Sequence, residues 1–251
     1  MEYHEKNNLI SLLNDIHMPT EVIEDILLCI NTGHGTLPGI NDLTDHLKTA
    51  VSERLSGVWK PFPQEIFINT MMCFSRFVNE YHISYGSYGY DRAFWTTRQI
   101  SARLFCIGAL EYELVDNDLQ HIHLHIPSNT RLDSKSLNNS ISSARVFFAE
   151  YFPGRSDNIF TTESWLLSPV LKELLPATSR ILNFQSAFDI TRYDPAPMAC
   201  LEWVFNIAGG QMENVSLSDL PENTSLQKSM KKLLLEGGHV GCASGILVRS
   251  F

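Results

Sequence analysis

The chain has 251 residues, of which 44% are hydrophobic and 19% charged, with a formal net charge of −9. That length and apolar content allow one large domain or two modest ones around a sizeable core. The acidic balance argues against a nonspecific nucleic-acid binder, which needs a basic surface, while leaving room for a local basic pocket.

Cys29, Cys73, Cys106, Cys200 and Cys242 are odd in number, far apart and form no CxxC. This usage points to reduced thiols in a cytoplasmic protein rather than a disulfide framework or a zinc knuckle. The opening MEYHEKNNLI is polar and acidic and does not read as a signal peptide. No apolar stretch approaches membrane-spanning length, so no membrane partner is expected.

The first third reads helical. Leu9, Leu12, Leu13 and Ile16 recur at helical spacing, and Pro19-Thr20 restarts a helix with Val22, Ile23, Ile26, Leu27 and Ile30 on one face. The glycines after Asn31 stop it. A third helix follows Asn41, and a fourth runs from Pro63 to about Tyr81. The segment YHISYGSYGYDRAFW, rich in glycine and aromatic residues, reads as irregular or as a hairpin. A domain boundary is placed there, giving a helical part over 1–94 and a second domain over 95–251.

A short helix is expected after Thr97, through Ile100 and Leu104. The periodicity then changes. ALEYELV alternates, with Glu111 and Glu113 on one face. HIHLHI also alternates, and the short VDNDLQ linker makes the two an antiparallel hairpin. A helix follows from about Ser134 to Tyr151, with Asp133 as its cap. NIFTTESWLL reads as a strand and SPVLKELL as a short helix. ILNFQSAFDI and MACLEWVFNI read as paired strands. Thr224 caps a last helix through Leu235, and HVGCASGILV closes as a strand. The order from residue 109 is ββαβαββαβ, an α+β fold around one mixed sheet.

The stretch HIHLHIPSNTRLDS carries the most chemistry. Alternate histidines project to one side of a strand, so His121, His123 and His125 could share a metal. No H-E-x-x-H or H-x-E accompanies them, and the expectation is that no metal binds. The order strand, polar loop, helix has a second meaning. The first N–H groups of a helix lack internal partners and carry the positive end of its dipole. Ser128, Asn129 and Thr130 add small donors and Arg131 a cation, a combination suited to a phosphate or pyrophosphate. An ordinary strand-to-helix turn remains the plainer alternative.

Four pieces, WTTRQISARLFCIGALEYEL, LHIPSNTRLDSKSLNNSISSARVFFAEYFP, SWLLSPVLKELLPATSRILNFQSAF and TSLQKSMKKLLLEGG, together resemble the acyltransferase-domain proteins of the GNAT superfamily that carry a GNAT-like C-terminal domain. The helical first part resembles the N-terminal domain of such proteins. The resemblance implies a mixed, mostly antiparallel sheet splayed to admit acetyl-CoA or another acyl-CoA. It also implies direct attack of an amine on the thioester in a ternary complex, with a small-molecule or peptide amine as acceptor. The pyrophosphate contact then maps onto His125, Ile126, Pro127, Ser128, Asn129, Thr130 and Arg131. The superfamily loop is usually written Q/R-x-x-G-x-G/A, and these glycines are absent here.

Transfer to an amine needs a proton acceptor and a proton donor to the leaving thiolate. Glu111 and His123 are the candidate bases. The resemblance places Ser164 beside the acyl group, as a donor through water, and Trp165 against the pantetheine arm. Arg98 and Glu113 are candidate acceptor contacts. Two other readings stay open: a noncatalytic binding module with the same fold, and a metal-dependent enzyme built on His121, His123 and His125.

Overall fold

The computed structural model describes residues 3–116, 118–155 and 158–251. The chain divides into two compact units, Met1–Ile107 and Gly108–Phe251.

The first unit holds α1 (Tyr3–Asp15), α2 (Thr20–Thr32), α3 (Ile40–Ser56), α4 (Gln64–Tyr85), α5 (Ala93–Ile100) and β1 (Leu104–Ile107). The apolar stripes face inward: Leu9, Leu13, Ile16, Ile26, Leu43 and Leu47 are fully buried. Gly33 ends α2 in the left-handed region, at φ 89°, and its N–H returns to the Cys29 carbonyl. The loop into α3 is tied down by the buried Asp25 carboxylate. It accepts from Leu37 N (2.8 Å), Thr36 N (2.9 Å) and Thr36 Oγ1 (2.8 Å). Burial works to raise the Asp25 pKa, but these donors outweigh it and hold the carboxyl below its ordinary value.

Trp59 closes the other end of this unit. It is fully buried among Phe62, Phe67 and Phe105, and its Nε1 donates to the Gln99 carbonyl at 2.8 Å. A buried polar chain crosses the helices: His46 Nδ1 lies 2.8 Å from Thr96 Oγ1, and Tyr90 OH lies 2.5 Å from the same hydroxyl.

Two expectations change here. The segment read as irregular or a hairpin is helical at its start, because α4 runs on to Tyr85. The helix expected through Leu104 stops at Ile100, and Leu104 opens β1, whose Cys106 N–H donates to Thr70 Oγ1 at 2.9 Å. Phe94 lies in α5, which packs on α3 and α4.

The second unit has the expected α+β character. Its strands are β2 (Leu110–Leu114), β3 (His121–His125), β4 (Ile159–Ser164), β5 (Phe188–Asp194) and β6 (Cys242–Leu247), in the spatial order β2-β3-β4-β6-β5. β2 and β3 form the expected antiparallel hairpin. β4–β6 and β5–β6 are also antiparallel, and β3–β4 is parallel. The sheet is therefore mixed and mostly antiparallel.

The parallel pair needs a crossover, and α6 (Ser134–Tyr151) supplies it. Asp133 caps α6 by accepting the Ser136 N–H at 2.9 Å. The helix covers the apolar face of the sheet, where Tyr112 is buried against Phe148 and Phe160 and its hydroxyl meets Ser140 Oγ at 2.8 Å. Gly108 sits beside this contact at φ 65°, with Ser140 Cβ only 3.1 Å from where its own Cβ would stand.

The segments read as paired strands are mostly helical. ILNFQSAFDI divides into α8 (Arg180–Ser186) and the start of β5, and MACLEWVFNI forms α9 (Ala199–Phe205). Ser179 caps α8, which explains the switch locally: its side chain accepts the Ile181 N–H. In α9, Cys200, Leu201 and Phe205 reach a common cluster with Leu171 of α7 (Leu171–Leu174) and Met230 and Leu234 of α10 (Ser225–Leu235). α10 begins with a full capping box between Thr224 and Gln227. The strand expected through NIFTTESWLL stops at Ser164, and Trp165–Leu167 turn as a 3-10 helix.

Candidate functional site

The site grows from the face of the sheet opposite α6. Antiparallel register sets Glu111 opposite His125 and Glu113 opposite His123, so all four side chains share that face. Glu111, a candidate base, is only 3% exposed on this polar face. The Glu113 carboxylate meets His125 Nε2 at 2.8 Å. The His123 and His125 rings stack, with centroids 4.8 Å apart. His121 stands apart, with its Nδ1 2.8 Å from Asp118. That hydrogen bond is the chief reason the Asp118 carboxyl is held below its ordinary pKa.

The three imidazoles thus turn to separate partners. Among the described residues, no group of three or more His, Cys, Asp and Glu side chains is placed to hold a metal ion.

The parallel β3–β4 ladder is short. Ile159 N donates to Gln120 O at 2.9 Å, and the register then pairs His121, Ile122 and His123 with Ile159, Phe160 and Thr161. Both strands run on, to His125 and Ser164, but the pairing stops. The next rung of a parallel ladder would join the Glu163 N–H to the Leu124 carbonyl. Instead that N–H donates to His123 Nε2 at 3.3 Å. The two strands part at this point. The Glu163 side chain turns to β6, where Ser244 Oγ donates to it at 3.0 Å.

One step back along β4, Thr162 is buried on the α6 side, and its Oγ1 has no hydrogen-bond partner among the described residues. A buried hydroxyl without a partner is costly, and an unfilled bond beside a strand opening is what a bound ligand can complete.

The loop after β3 makes a turn in which Thr130 N donates to Pro127 O at 2.9 Å, and Thr130 Oγ1 ties it to the Ala109 carbonyl at 2.8 Å. Ser128, Asn129 and Arg131 are exposed, Pro127 is buried and Ile126 and Thr130 are half-buried. Asp133 modifies the expected anion site. The Ser136 N–H holds its carboxyl below the ordinary pKa, so the first turn of α6 already carries a negative charge.

The remaining candidates make local contacts of their own. Ser164 accepts the Leu166 N–H and so caps the 3-10 turn. Trp165 packs against the cluster around Leu171 and Cys200. Arg98 belongs to α5 of the first unit, its guanidinium stacked 4.1 Å from the Trp95 ring centroid. Burial pushes the Cys242 thiol up to about 11, with Glu163 and Asp194 adding to it, so it is not a thiolate at neutral pH.

The residue reading missed the Glu163 N–H, a backbone group with no signature of its own. It also missed Thr162 and Ser244, whose positions follow only from the β4–β6 register.

A family model described as the GNAT-like C-terminal domain matches residues 104–247, and one described as the N-acyltransferase N-terminal domain matches residues 60–102. No curated protein matches the chain. Among solved structures, an acyltransferase in complex with decanoyl-CoA and teicoplanin is 23% identical with a TM-score of 0.80, over 94% of this chain and 86% of that one. An acyltransferase in complex with CoA and 10C-teicoplanin is 26% identical with a TM-score of 0.72, over 80% of this chain and 64% of that one. An acyltransferase in complex with decanoyl-CoA is 27% identical with a TM-score of 0.72, over 82% of this chain and 65% of that one.

Proposed function

The chain belongs to the acyltransferase family defined by the GNAT-like C-terminal domain, and on that premise we propose that it is an acyl-CoA-dependent N-acyltransferase. The observation that carries the reading is the parting of β3 and β4 beyond His123 and Thr161, which opens the sheet beside its polar face. The partnerless Thr162 hydroxyl at this opening supports a ligand that inserts there. Neighbours that hold CoA or decanoyl-CoA support acyl-CoA as the donor, and those that hold teicoplanin support a small-molecule or peptide amine as acceptor.

In the proposed reaction the acceptor nitrogen attacks the thioester carbonyl carbon. The carbon–sulfur bond breaks, an amide forms, and CoA leaves as the thiol once its sulfur is protonated. A thioester is activated already, so positioning supplies much of the rate. His123 takes the ammonium proton, since a neutral imidazole is a competent base near pH 7. Glu111 is the second candidate base on the same face. Glu113 orients His125 at the entrance to the loop, and Ser128, Asn129 and Arg131 meet the pyrophosphate. Ser164 reaches the leaving sulfur through water, and Trp165 lines the pantetheine arm.

Calorimetry with CoA and acetyl-CoA, repeated on Arg131→Ala, tests the donor site. Micromolar binding that weakens in the variant is expected. Well-folded protein that binds neither form sinks the reading. The glycine-free loop and the Asp133 carboxylate favour a second reading, a noncatalytic module that retains the fold. Tight CoA binding with no thiol release across a panel of amines selects it.

A further inference from the structure

The Glu163 N–H is a backbone donor released by the parting of two strands, and a donor in that position needs an acceptor. In the structure that acceptor is a side chain, His123 Nε2. A backbone N–H can only donate, so Nε2 offers its lone pair, and the neutral ring carries its proton on Nδ1. The lone pair required of a base is therefore occupied by the strand that borders the opening.

We propose that His123 is a latch across the β3–β4 opening, which the co-substrate releases. The inference rests on the acyl-CoA reading above. A carbonyl oxygen at the pantetheine–thioester end of acyl-CoA replaces the imidazole as acceptor of the Glu163 N–H. No covalent bond changes in this step: one hydrogen bond breaks and an equivalent one forms. The exchange frees Nε2 at the moment the thioester is in place. The site thus holds its base engaged while empty and exposes it once loaded. The stack of His123 on His125 gives the freed ring a surface to turn against, and the Glu113 contact keeps His125 in position.

The test uses the full chain with nitrogen-15-labelled histidine and backbone, observed by NMR. In the free protein at neutral pH, His123 is expected as the Nδ1–H tautomer. An Nε2–H tautomer overturns the latch whatever the protein binds. Saturation with acetyl-CoA, with no amine present, is expected to shift both the Glu163 amide and His123 Nε2. If neighbouring β3 and β4 amides shift while these two stay fixed, the exchange is wrong although the donor reading stands. If nothing shifts and calorimetry finds no binding, the donor reading is lost and the exchange with it.

Affinity gives an independent measure. His123→Ala has no latch to displace, so it is expected to bind CoA about threefold to tenfold more tightly than wild type, in line with the net worth of one hydrogen bond. His123→Gln keeps an acceptor on the side chain and is expected to bind like wild type. Weaker binding by a folded His123→Ala variant overturns the proposal, because it makes the imidazole a ligand contact instead.

Discussion

Glu113 stands opposite His123 in the β2–β3 ladder, yet its carboxylate bonds His125, whose own register partner is Glu111. The diagonal contact leaves His123 to reach across to β4 and fixes His125 where the chain enters the loop at Ile126. Glu113→Gln keeps the shape and removes the charge. Stability is expected to fall by about 1 kcal/mol, given that both partners are only partly buried. Steady-state kinetics should show kcat/KM for acyl-CoA falling about tenfold, equivalent to about 1.4 kcal/mol, with KM moving more than kcat. Unchanged KM with a large drop in kcat points instead to a direct part for Glu113 in proton transfer.

Thr162→Val tests whether the orphaned hydroxyl belongs to a ligand. Removing a buried polar atom that has no partner is expected to leave the stability of the free protein unchanged or raise it by up to about 1 kcal/mol. If a bound acyl-CoA completes that hydroxyl, affinity falls about fivefold in the same variant. Denaturant unfolding and calorimetry on one preparation measure both. A variant that is less stable and binds normally rules out the ligand role.

The first unit carries two acid-sensitive groups with separate windows. Burial lowers the His46 pKa below its ordinary 6.5, against the upward pull of Asp42 and Asp45. The folded state then binds fewer protons than the unfolded chain between the folded pKa and 6.5, so this contribution is complete above 6.5 and is lost as pH falls through the folded value. Physically, protonated Nδ1 donates to Thr96 Oγ1, which also meets the buried Tyr90 hydroxyl. Asp25 acts lower: its contribution is complete above 3.8 and is lost as pH falls through its depressed value. Urea unfolding as a function of pH should show both losses, and His46→Gln should flatten only the upper one.

At Thr224 the expectation is purely structural. Its side chain accepts from Gln227 N, while Gln227 Oε1 accepts from Thr224 N and Gln227 Nε2 reaches Val204 O. Thr224→Ala should cost about 1 kcal/mol, and Gln227→Ala more, because it also strips a bond to α9. Chemical denaturation separates the two.

Much of the scaffold was legible because its signals were local. Asp133 announced α6, and the short linker made β2 and β3 a hairpin. ILNFQSAF and MACLEWVF misled because short apolar runs fit either period; burial of Leu201 and Phe205 in the α10 cluster decided for helix. Alternation placed Glu111 and Glu113 on one face but could not tell that Glu111 is covered. The resemblance implied a splayed sheet, but no residue pattern located the strand opening. It follows from where a parallel ladder stops, and the group it releases is a main-chain N–H shared by nearly every residue type.

The two walls of that opening, β3 and β4, are paired only over the short ladder before it, and the chain between them passes through α6. Beyond that ladder their spacing depends on the layer behind, where Ser140, Ala144 and Phe148 of the helix lie buried. A larger side chain at Ala144 would act as a wedge, tilting β4 against β3 without meeting any ligand. Preference among acyl chains can then drift through substitutions that leave every residue on the working face untouched.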